Sequence, residues 1–548
     1  MARPKSSGSS AGEAGSVALL FCGFLVVSLF VYGRVLQGPF VSDDLHYVRD
    51  NVYIHELSLE NVVDILDPTG GAAVAVVNYT PIHLLLHAVM WKLFGTSTLG
   101  HHVANVVLHA LASALLFPLL VRSRIPRMAA FFGASWFLLH PANVEAVAWI
   151  SQLKSSSALV LSLASLLWFA RRPALATLLF GLALFAKPTA AFVLPVAAVF
   201  AWCAADPARG ARALLPPRRW LLVAVLVLAT YAAIEFSAHQ RSGAADAVLY
   251  DTPFVLIRTV MALAVRYLVM AGTSYGVSAF HEPEPVHSPF DLWWLAALPA
   301  AVFVAWRLLT GIRARRNEVA YWVWALVSFA PVSQVFPFLY PMADRYLYFI
   351  MPGLIGVALL MGRDVFSQLV DEGSAEKVRR ALMGAGAGML VFFAWHSGER
   401  AAIWRNPVFI LDDAASHYPN GVSAHLQRAQ RSAQLGDVDT AVENIRGAVA
   451  RGYLRFQQLD ADPALAPIRK HAKFRAVVSE IAARRIAMFH VKENPTQLEL
   501  RTVARAYVAR GEMSEAIAVL ERALEVGGPT DEATREEIAE LRKYQHHF

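Results

Sequence analysis

The chain has 548 residues, 56% of them hydrophobic and only 17% charged. A mean hydropathy of +0.43 excludes an ordinary soluble protein for most of this length and places the chain among polytopic membrane proteins. The formal charge of +7 does not call for nucleic acid, because the arginines cluster between apolar segments, where the positive-inside rule and anionic lipid account for them.

Residues 1–15 read as a short basic cytoplasmic tail rich in Ser and Gly. The apolar run at 16–36 has no small-x-small cleavage site after it, so it reads as a retained signal anchor with its N-terminus in the cytoplasm. At its mouth lies Phe40-Val41-Ser42-Asp43-Asp44-Leu45-His46-Tyr47. Two adjacent carboxylates at the end of a membrane span are costly unless water or a ligand meets them, which marks Asp43 and Asp44 as functional candidates. The plain alternative is a solvated loop whose acids hold the end of the span at the interface.

A polar excursion follows to about Gly100, with a short amphipathic helix at 54–63. Asn78-Tyr79-Thr80-Pro81 opens an apolar segment at 82–94 that carries His83, His87 and Lys92 and is short for a span, so it is expected at the interface. The second span is expected at 103–121. Basic clusters then mark the cytoplasmic side at Arg122 to Arg127, Arg171-Arg172, Arg209 to Arg219, Arg313 to Arg316 and Lys377 to Arg380. Between them lie a pair of spans turning at His140 to Lys154, a pair turning at Ala186-Lys187-Pro188, and a span at 220–237. Further spans are expected at 292–309, 320–338, 347–361 and 381–395. Segment 254–272 carries Arg258 and Arg266, and as a span it would put the next basic cluster on the wrong side. It is therefore expected to be re-entrant or interfacial, which leaves about eleven spans and a C-terminus opposite the N-terminus.

Residues 401–548 read as soluble. Ala429, Gly436, Ala441, Ile445 and Ala448 have the spacing of Ala504, Gly511, Ala516, Leu520 and Ala523, the tetratricopeptide pattern of small residues that let paired helices pack closely. Tyr507 fits it and Ser432 does not. The stretch 459–474 between the two units reads as helical and off-consensus. Such short solenoids are partner-binding or packing surfaces, and no catalytic cluster is visible there.

Every ionisable candidate falls on one side of this topology: Asp43, Asp44, Glu145, Lys154, Lys187, Arg258, Arg266 and Arg345. That gathering suits a lipid-linked phosphate substrate, with a carboxylate as base on an acceptor hydroxyl and guanidinium groups clamping the leaving phosphate. Each residue also has a local alternative. Lys187 could snorkel, Asp344 and Arg345 could pair with each other, Arg266 could anchor its helix to headgroups, and Glu145 could cap its own turn. His83, His87, His101, His102 and His109 lack a partner set for a metal and read as packing. Cys22 and Cys203 imply neither a disulfide framework nor a metal site. No Walker loop, zinc signature or serine-hydrolase elbow is present.

Six stretches in order resemble bacterial relatives of the transmembrane-and-tetratricopeptide O-mannosyltransferases, within the GT-C glycosyltransferase superfamily. They are Phe40-Val41-Ser42-Asp43-Asp44 with Asn51 and Ile54; Asn78-Tyr79-Thr80-Pro81-Ile82; Gly95 with His102, Asn105 and His109; His140-Pro141 with Val144-Glu145 and Trp149-Ile150-Ser151; Ala186-Lys187-Pro188; and Asp344-Arg345-Tyr346-Leu347-Tyr348. The resemblance covers nearly the whole chain. It implies inverting transfer of a mannose-like sugar from a polyprenyl-phosphate donor to an acceptor hydroxyl, first of all on protein, at the non-cytoplasmic face. It makes Asp43 or Asp44 the base, leaving open which. It sets Arg345 near the donor phosphate, with Glu145 and Lys154 lining the second-loop side; Tyr346, Lys187, Arg258 and Arg266 are further candidates for binding the donor. Relatives often carry an acid after the basic residue that follows Trp-Ile-Ser; here Lys154 is followed by Ser155.

The expected fold is all-α: a polytopic GT-C membrane domain of about eleven transmembrane helices at 16–400, followed by a soluble tetratricopeptide-like helical domain at 401–548. The implied setting is a bacterial inner membrane with a periplasmic C-terminal domain. Expected partners are the lipid-linked sugar donor, membrane lipid and a protein acceptor that the repeats recognise, with no nucleic acid. No cofactor is assigned, and a divalent metal is not indicated. Two rivals remain: a non-catalytic scaffold that keeps a degenerate GT-C fold and works through its repeats, and a lipid-linked sugar transporter, which would need polar residues deep in several spans.

Overall fold

In a bilayer every backbone polar group must be satisfied inside its own segment, so apolar runs of this length become helices. In the computed structural model they do, and no β-strand occurs among the described residues. The structure describes residues 9–76, 79–204, 218–242, 250–334, 340–490, 495, 497–527 and 530–545. Residues 1–8 of the tail, Asn78, the basic run from Arg209 to Pro217 and the end of the span expected at 320–338 lie outside them.

The membrane domain is built from α1 (Ser9–Val31), α2 (Pro81–Phe94), α3 (Thr98–Arg122), α4 (Arg127–Leu139), α5 (Leu153–Trp168), α6 (Pro173–Ala186), α7 (Val193–Ala204), α8 (Arg218–Ser242), α9 (Pro253–Thr273), α10 (Leu292–Arg313), α11 (Glu318–Phe329), α12 (Asp344–Leu369) and α13 (Glu372–Ile403). Seven helical segments are long and apolar enough to cross a membrane: those within α3, α5, α8, α9, α10, α12 and α13. The protein is an integral membrane protein.

Hydrogen bonds between helix ends sort these helices onto two faces. At one face, Asn105 Nδ2 donates to Trp149 O at 3.0 Å, Ser397 Oγ to Leu139 O at 2.7 Å and Gln334 Nε2 to Pro341 O at 3.0 Å. At the other, Arg122 reaches Leu167 O at 2.7 Å, Asn317 reaches Ser123 O at 3.2 Å and Arg363 reaches Arg124 O at 3.2 Å.

Helix α9 is the informative case. Its 21 residues could cross a membrane by length and composition, yet both its ends meet the first face. Just before it, Tyr250 Oη donates to Gln334 Oε1 at 3.3 Å. At its other end Ser274 Oγ lies 3.2 Å from His396 Nδ1, and Tyr267 Oη donates to Ala343 O at 3.2 Å. Helix α2 behaves alike: the strand before it meets Glu235 through Tyr79 N at 3.2 Å, and Gly95 after it meets His101 at 3.1 Å. Six shorter apolar helices accompany the seven candidate spans among the described residues.

Close packing of α11 on α12 depends on Gly353. A Cβ there would fall 2.8 Å from both the Ala325 amide nitrogen and the Tyr321 carbonyl oxygen. Gly353→Ala is therefore expected to force the two helices apart and to lower stability by about 1–3 kcal/mol. The thermal midpoint of the purified protein in detergent checks this.

Beyond α13 the chain forms helical hairpins. Helices α14 (Val422–Gln434) and α15 (Val438–Ala450) pair, and after α16 (Ala472–His490) so do α17 (Gln497–Arg510) and α18 (Met513–Val526), with α19 (Asp531–Gln545) packed on α18. Gly436 and Gly511 make the two turns at φ +77° and +81°, where a side chain would be strained. Ala429, Ala441, Ile445 and Ala448 are fully buried, as are Ala504, Ala516, Leu520 and Ala523, so the repeated small residues are the contact layer. This module is fixed to the face that carries Asp43. The Glu282 carboxylate caps α14, accepting from the amides of Val422 and of Ser423, the latter at 3.1 Å. Arg400 pairs with Asp413, and Arg451 with Glu284 at 3.2 Å.

Candidate active site

The loop after α1 turns on Ser42, which holds a left-handed backbone at φ +52° that non-glycine residues rarely adopt. The turn sends the two consecutive aspartates to opposite fates. Asp44 is fully buried. Its Oδ2 accepts from the Val41 amide at 3.0 Å, and its Oδ1 accepts from the Ser151 amide at 2.7 Å and from the Ser151 hydroxyl. Trp149 Nε1 donates to Val41 O at 3.2 Å, completing a clasp between the first and second loops. Asp43 remains half-buried, and its carboxylate makes no hydrogen bond or ion pair among the described residues. Burial separates the two acids: Asp44 builds the loop, and Asp43 keeps a half-buried carboxylate.

Burial pushes the Asp44 carboxyl up to about 7, against the pull of the hydrogen bonds from Ser151 and Val41. A folded pKa above the unfolded value means that the folded state keeps a proton the unfolded chain has lost. This contribution to stability is full below about pH 4 and is lost as pH rises towards 7. Thermal midpoints measured across that window should fall with pH in the wild type, and Asp44→Asn should lack that part of the fall.

Arg345 sits in the first turn of α12. Its amide donates to Glu145 Oε2 at 2.7 Å, and its guanidinium pairs with Glu145 Oε1. The guanidinium lies over the rings of Trp149 at 5.3 Å and Tyr346 at 4.9 Å. Glu145 is 1% exposed and Arg345 20%, so the arginine has a partner behind it and an open edge in front. Asp344 does not pair with Arg345. It turns away to His281 Nε2 at 2.6 Å and to the Ser278 amide at 3.2 Å. The local pairing of Asp344 with Arg345 is therefore set aside in favour of a link to Glu145, 200 residues earlier.

Lys187 also points inward rather than snorkelling. Its Nζ donates to Ser155 Oγ at 2.7 Å and lies 5.4 Å from the Phe349 ring. Ser155 in turn donates to Gln152 Oε1 at 2.7 Å. Lys154 lies over the Tyr47 ring at 4.6 Å. Neither lysine has a carboxylate within ion-pair distance among the described residues. Burial holds the Lys187 ammonium well below the usual lysine range, and repulsion from Lys154 and Arg345 adds to this while Glu145 opposes it. Lys154 and Arg345 thus lie within electrostatic reach of Lys187, and Asp43 within reach of Arg345; Lys187 is a desolvated lysine with no carboxylate at ion-pair distance among the described residues.

Two expected phosphate contacts sit elsewhere. Arg258 donates to His287 O, and Arg266 lies over the Trp293 ring at 4.6 Å. Both brace α9 against neighbouring segments. The histidines brace as well: His109 lies between Tyr348 Oη at 3.1 Å and Leu138 O at 3.0 Å, and His102 lies 3.3 Å from Gly38 O. Among the described residues no three His, Cys, Asp or Glu side chains converge as a metal site.

Sequence reasoning missed three participants. Ser151 lies within a quoted motif but had no role until Asp44 was found bound to it. Ser155 read only as a departure from the relatives' pattern, whereas its hydroxyl holds Lys187. His281, fully buried between Asp344 and Tyr418 Oη at 3.0 Å, carries no local signal.

No family model matches the chain. It is 27% identical over 174 residues to a protein O-mannosyl-transferase of Caenorhabditis elegans, a match covering 30% of this chain and 24% of that protein. It is 36% identical over 72 residues to a protein O-mannosyl-transferase of Drosophila melanogaster, covering 13% of this chain and 8% of that one. The chain thus matches about a quarter or less of the length of these curated relatives. Among solved structures it is similar to ArnT from Cupriavidus metallidurans bound to undecaprenyl phosphate, with TM-score 0.37 and 13% identity, covering 88% of this chain and 82% of that one. The apo structure of the same protein gives TM-score 0.33 and 16% identity, covering 89% and 82%. The similarity to O-mannosyl-transferases agrees with the resemblance carried by the six motifs.

Proposed function

We propose that the protein is a GT-C-type membrane glycosyltransferase that moves a mannose-like sugar, with inversion, from a polyprenyl-phosphate donor to an acceptor hydroxyl, in the first instance on protein. The observation that carries this reading is the desolvated Lys187 beside Lys154 and Arg345, with the half-buried carboxylate of Asp43 in electrostatic reach of Arg345. Cations without counter-ions suit an anionic ligand, and a carboxylate near them suits removal of a proton.

In the reaction Asp43 takes the proton from the acceptor hydroxyl as its oxygen attacks the anomeric carbon. The bond from that carbon to the phosphate oxygen breaks, and polyprenyl phosphate leaves with the electron pair. Arg345, held by Glu145 and by the Trp149 and Tyr346 rings, and Lys187 take up the charge that develops on the leaving phosphate. Phosphate is a stable leaving anion, so no general acid is required. The prenyl chain has a place to lie. An apolar cleft of about 310 Å³ between α9, α10, α11 and α12 is walled by Tyr267, Phe329, Ile350 and Leu354. The side chains of Ile350 and Leu354 are on the same helix as Arg345. The repeat module, bolted to this face through Glu282 and Asp413, is the natural surface for a protein acceptor. The bacterial inner membrane, with this face towards the periplasm, is the setting that fits the basic clusters on the opposite side.

Titration of the purified protein with polyprenyl phosphate tests the reading. Saturable binding is expected, weakened by roughly 10–100-fold in Lys187→Met, the loss of one hydrogen bond to a charged group. Without ligand the same variant should melt at a higher temperature than wild type, because it no longer buries an unpaired cation. A lysine that merely supports the fold would give the reverse pair of results, and absence of binding by the wild type would contradict the proposal.

A further inference from the structure

The end of the helix bundle remote from Asp43 holds a second cavity, of about 660 Å³. Six arginines from four separate places in the chain border it: Arg122 and Arg124 after α3, Arg171 after α5, Arg315 and Arg316 after α10, and Arg363 on α12. Two carboxylates share the wall among the described residues. Glu318 is already held by Arg307, which lies outside it. Asp364 is bonded to Arg363 at 2.9 Å and lies 3.5 Å from Arg316. Arg124 and Arg171 have no carboxylate partner among the described residues. The wall also includes the apolar side chains of Leu166, Phe169 and Phe200, together with Ser123 and Asn317.

The positive-inside rule accounts for arginines on this side of the membrane, turn by turn. It does not require four turns to converge on one concavity. Like charges brought together repel, and an anion placed among them offsets that repulsion. The turns are also fixed in place: Arg122 holds the Leu167 carbonyl at 2.7 Å, and Arg363 holds the Arg124 carbonyl at 3.2 Å. Arg124 and Arg315 take the left-handed backbone at φ +66° and +49°, a conformation costly for residues other than glycine that persists where surrounding contacts enforce it.

We propose that this cavity binds a phosphate-bearing anion, with the phosphate among the arginines of the rim. An anionic phospholipid is the favoured source, because the wall carries apolar side chains beside the arginines and the cavity opens at the ends of membrane-crossing helices, where its headgroup lies. The site is separate from the proposed catalytic cleft and does not depend on it.

The test uses the full-length protein purified in detergent and native mass spectrometry with phosphatidylglycerol or phosphatidylcholine, plus thermal shift with inorganic phosphate. Phosphatidylglycerol should be retained in preference to phosphatidylcholine. Arg124→Gln with Arg171→Gln should weaken it by more than about tenfold. Arg379→Gln with Arg380→Gln, which removes two arginines paired with Glu376 on α13 outside the cavity, should not. Saturable phosphate binding that is lost in the Arg124/Arg171 variant, without a lipid preference, would keep the site and assign it to a soluble phosphoanion. Equal weakening by both pairs of substitutions, or no saturable binding of either probe, would overturn the proposal.

Discussion

Asp43→Asn is expected to lower the turnover of sugar transfer by about 10²–10⁴-fold, the range for loss of a general base, with the melting temperature essentially unchanged. The reason lies in the turn at Ser42. Asp43 is half-buried and its carboxylate has no hydrogen-bond or ion-pair partner among the described residues, so its amide analogue breaks nothing there. Its neighbour should behave differently. Asp44 accepts from Val41 and from both donors of Ser151, and an asparagine there must turn an NH₂ towards one of those donors. Asp44→Asn should therefore lower stability by roughly 1–3 kcal/mol, with a loss of transfer that follows loss of folded protein. Turnover and thermal midpoint measured on the same preparations separate the two aspartates. A dead Asp44→Asn that melts like wild type, beside an active Asp43→Asn, would exchange their roles.

The second large effect is expected at Glu145 and Arg345. Removing one member of a buried ion pair leaves the other charge unpaired, at a cost of about 3–5 kcal/mol. Glu145 is almost fully buried, so Arg345→Ala should be strongly destabilising as well as inactive. The double variant Glu145→Gln with Arg345→Met removes both charges and should recover most of the stability. It should recover none of the transfer, since the leaving phosphate has still lost its guanidinium. Denaturation midpoints with turnover for the two single variants and the double variant give the coupling. Activity in the stable double variant would show Arg345 to be purely structural.

How far the sequence disclosed this protein differed with the range of the interaction. Span positions and the side of each loop followed from hydropathy and arginine placement, since both act over a few residues. The expectation for α9 rests on charge parity, a property of the whole chain, while its length and apolarity would let it cross. The repeats were legible because Gly436 and Gly511 must turn and the alanines must pack. What the sequence could not reveal were pairings across long separations. Nothing local separates Asp43 from Asp44 until Ser151 is seen to bind one of them. Asp344 and Arg345 are adjacent and opposite in charge, yet successive residues at a helix start point in different directions, towards His281 and Glu145. Arg258 and Arg266 read as phosphate ligands by charge and side alone. Their partners, a backbone carbonyl and an indole ring, leave no mark in a sequence pattern. Ser155 looked like a loss, because a hydroxyl where relatives often carry an acid suggests a missing ion pair. In the fold that hydroxyl positions Lys187 without neutralising it.

One measurement addresses catalysis most directly: incubation of the purified wild-type protein with a radiolabelled polyprenyl-phosphate sugar and an extract of its own cell envelope, followed by separation of lipid-bound from acceptor-bound label. A lipid-linked transferase predicts that label leaves the lipid, appears on acceptor as the opposite anomer, and does so in proportion to enzyme. Label that stays on the lipid with every sugar offered, from protein that still binds polyprenyl phosphate, would contradict catalysis and make the chain a scaffold with a lipid-binding cleft.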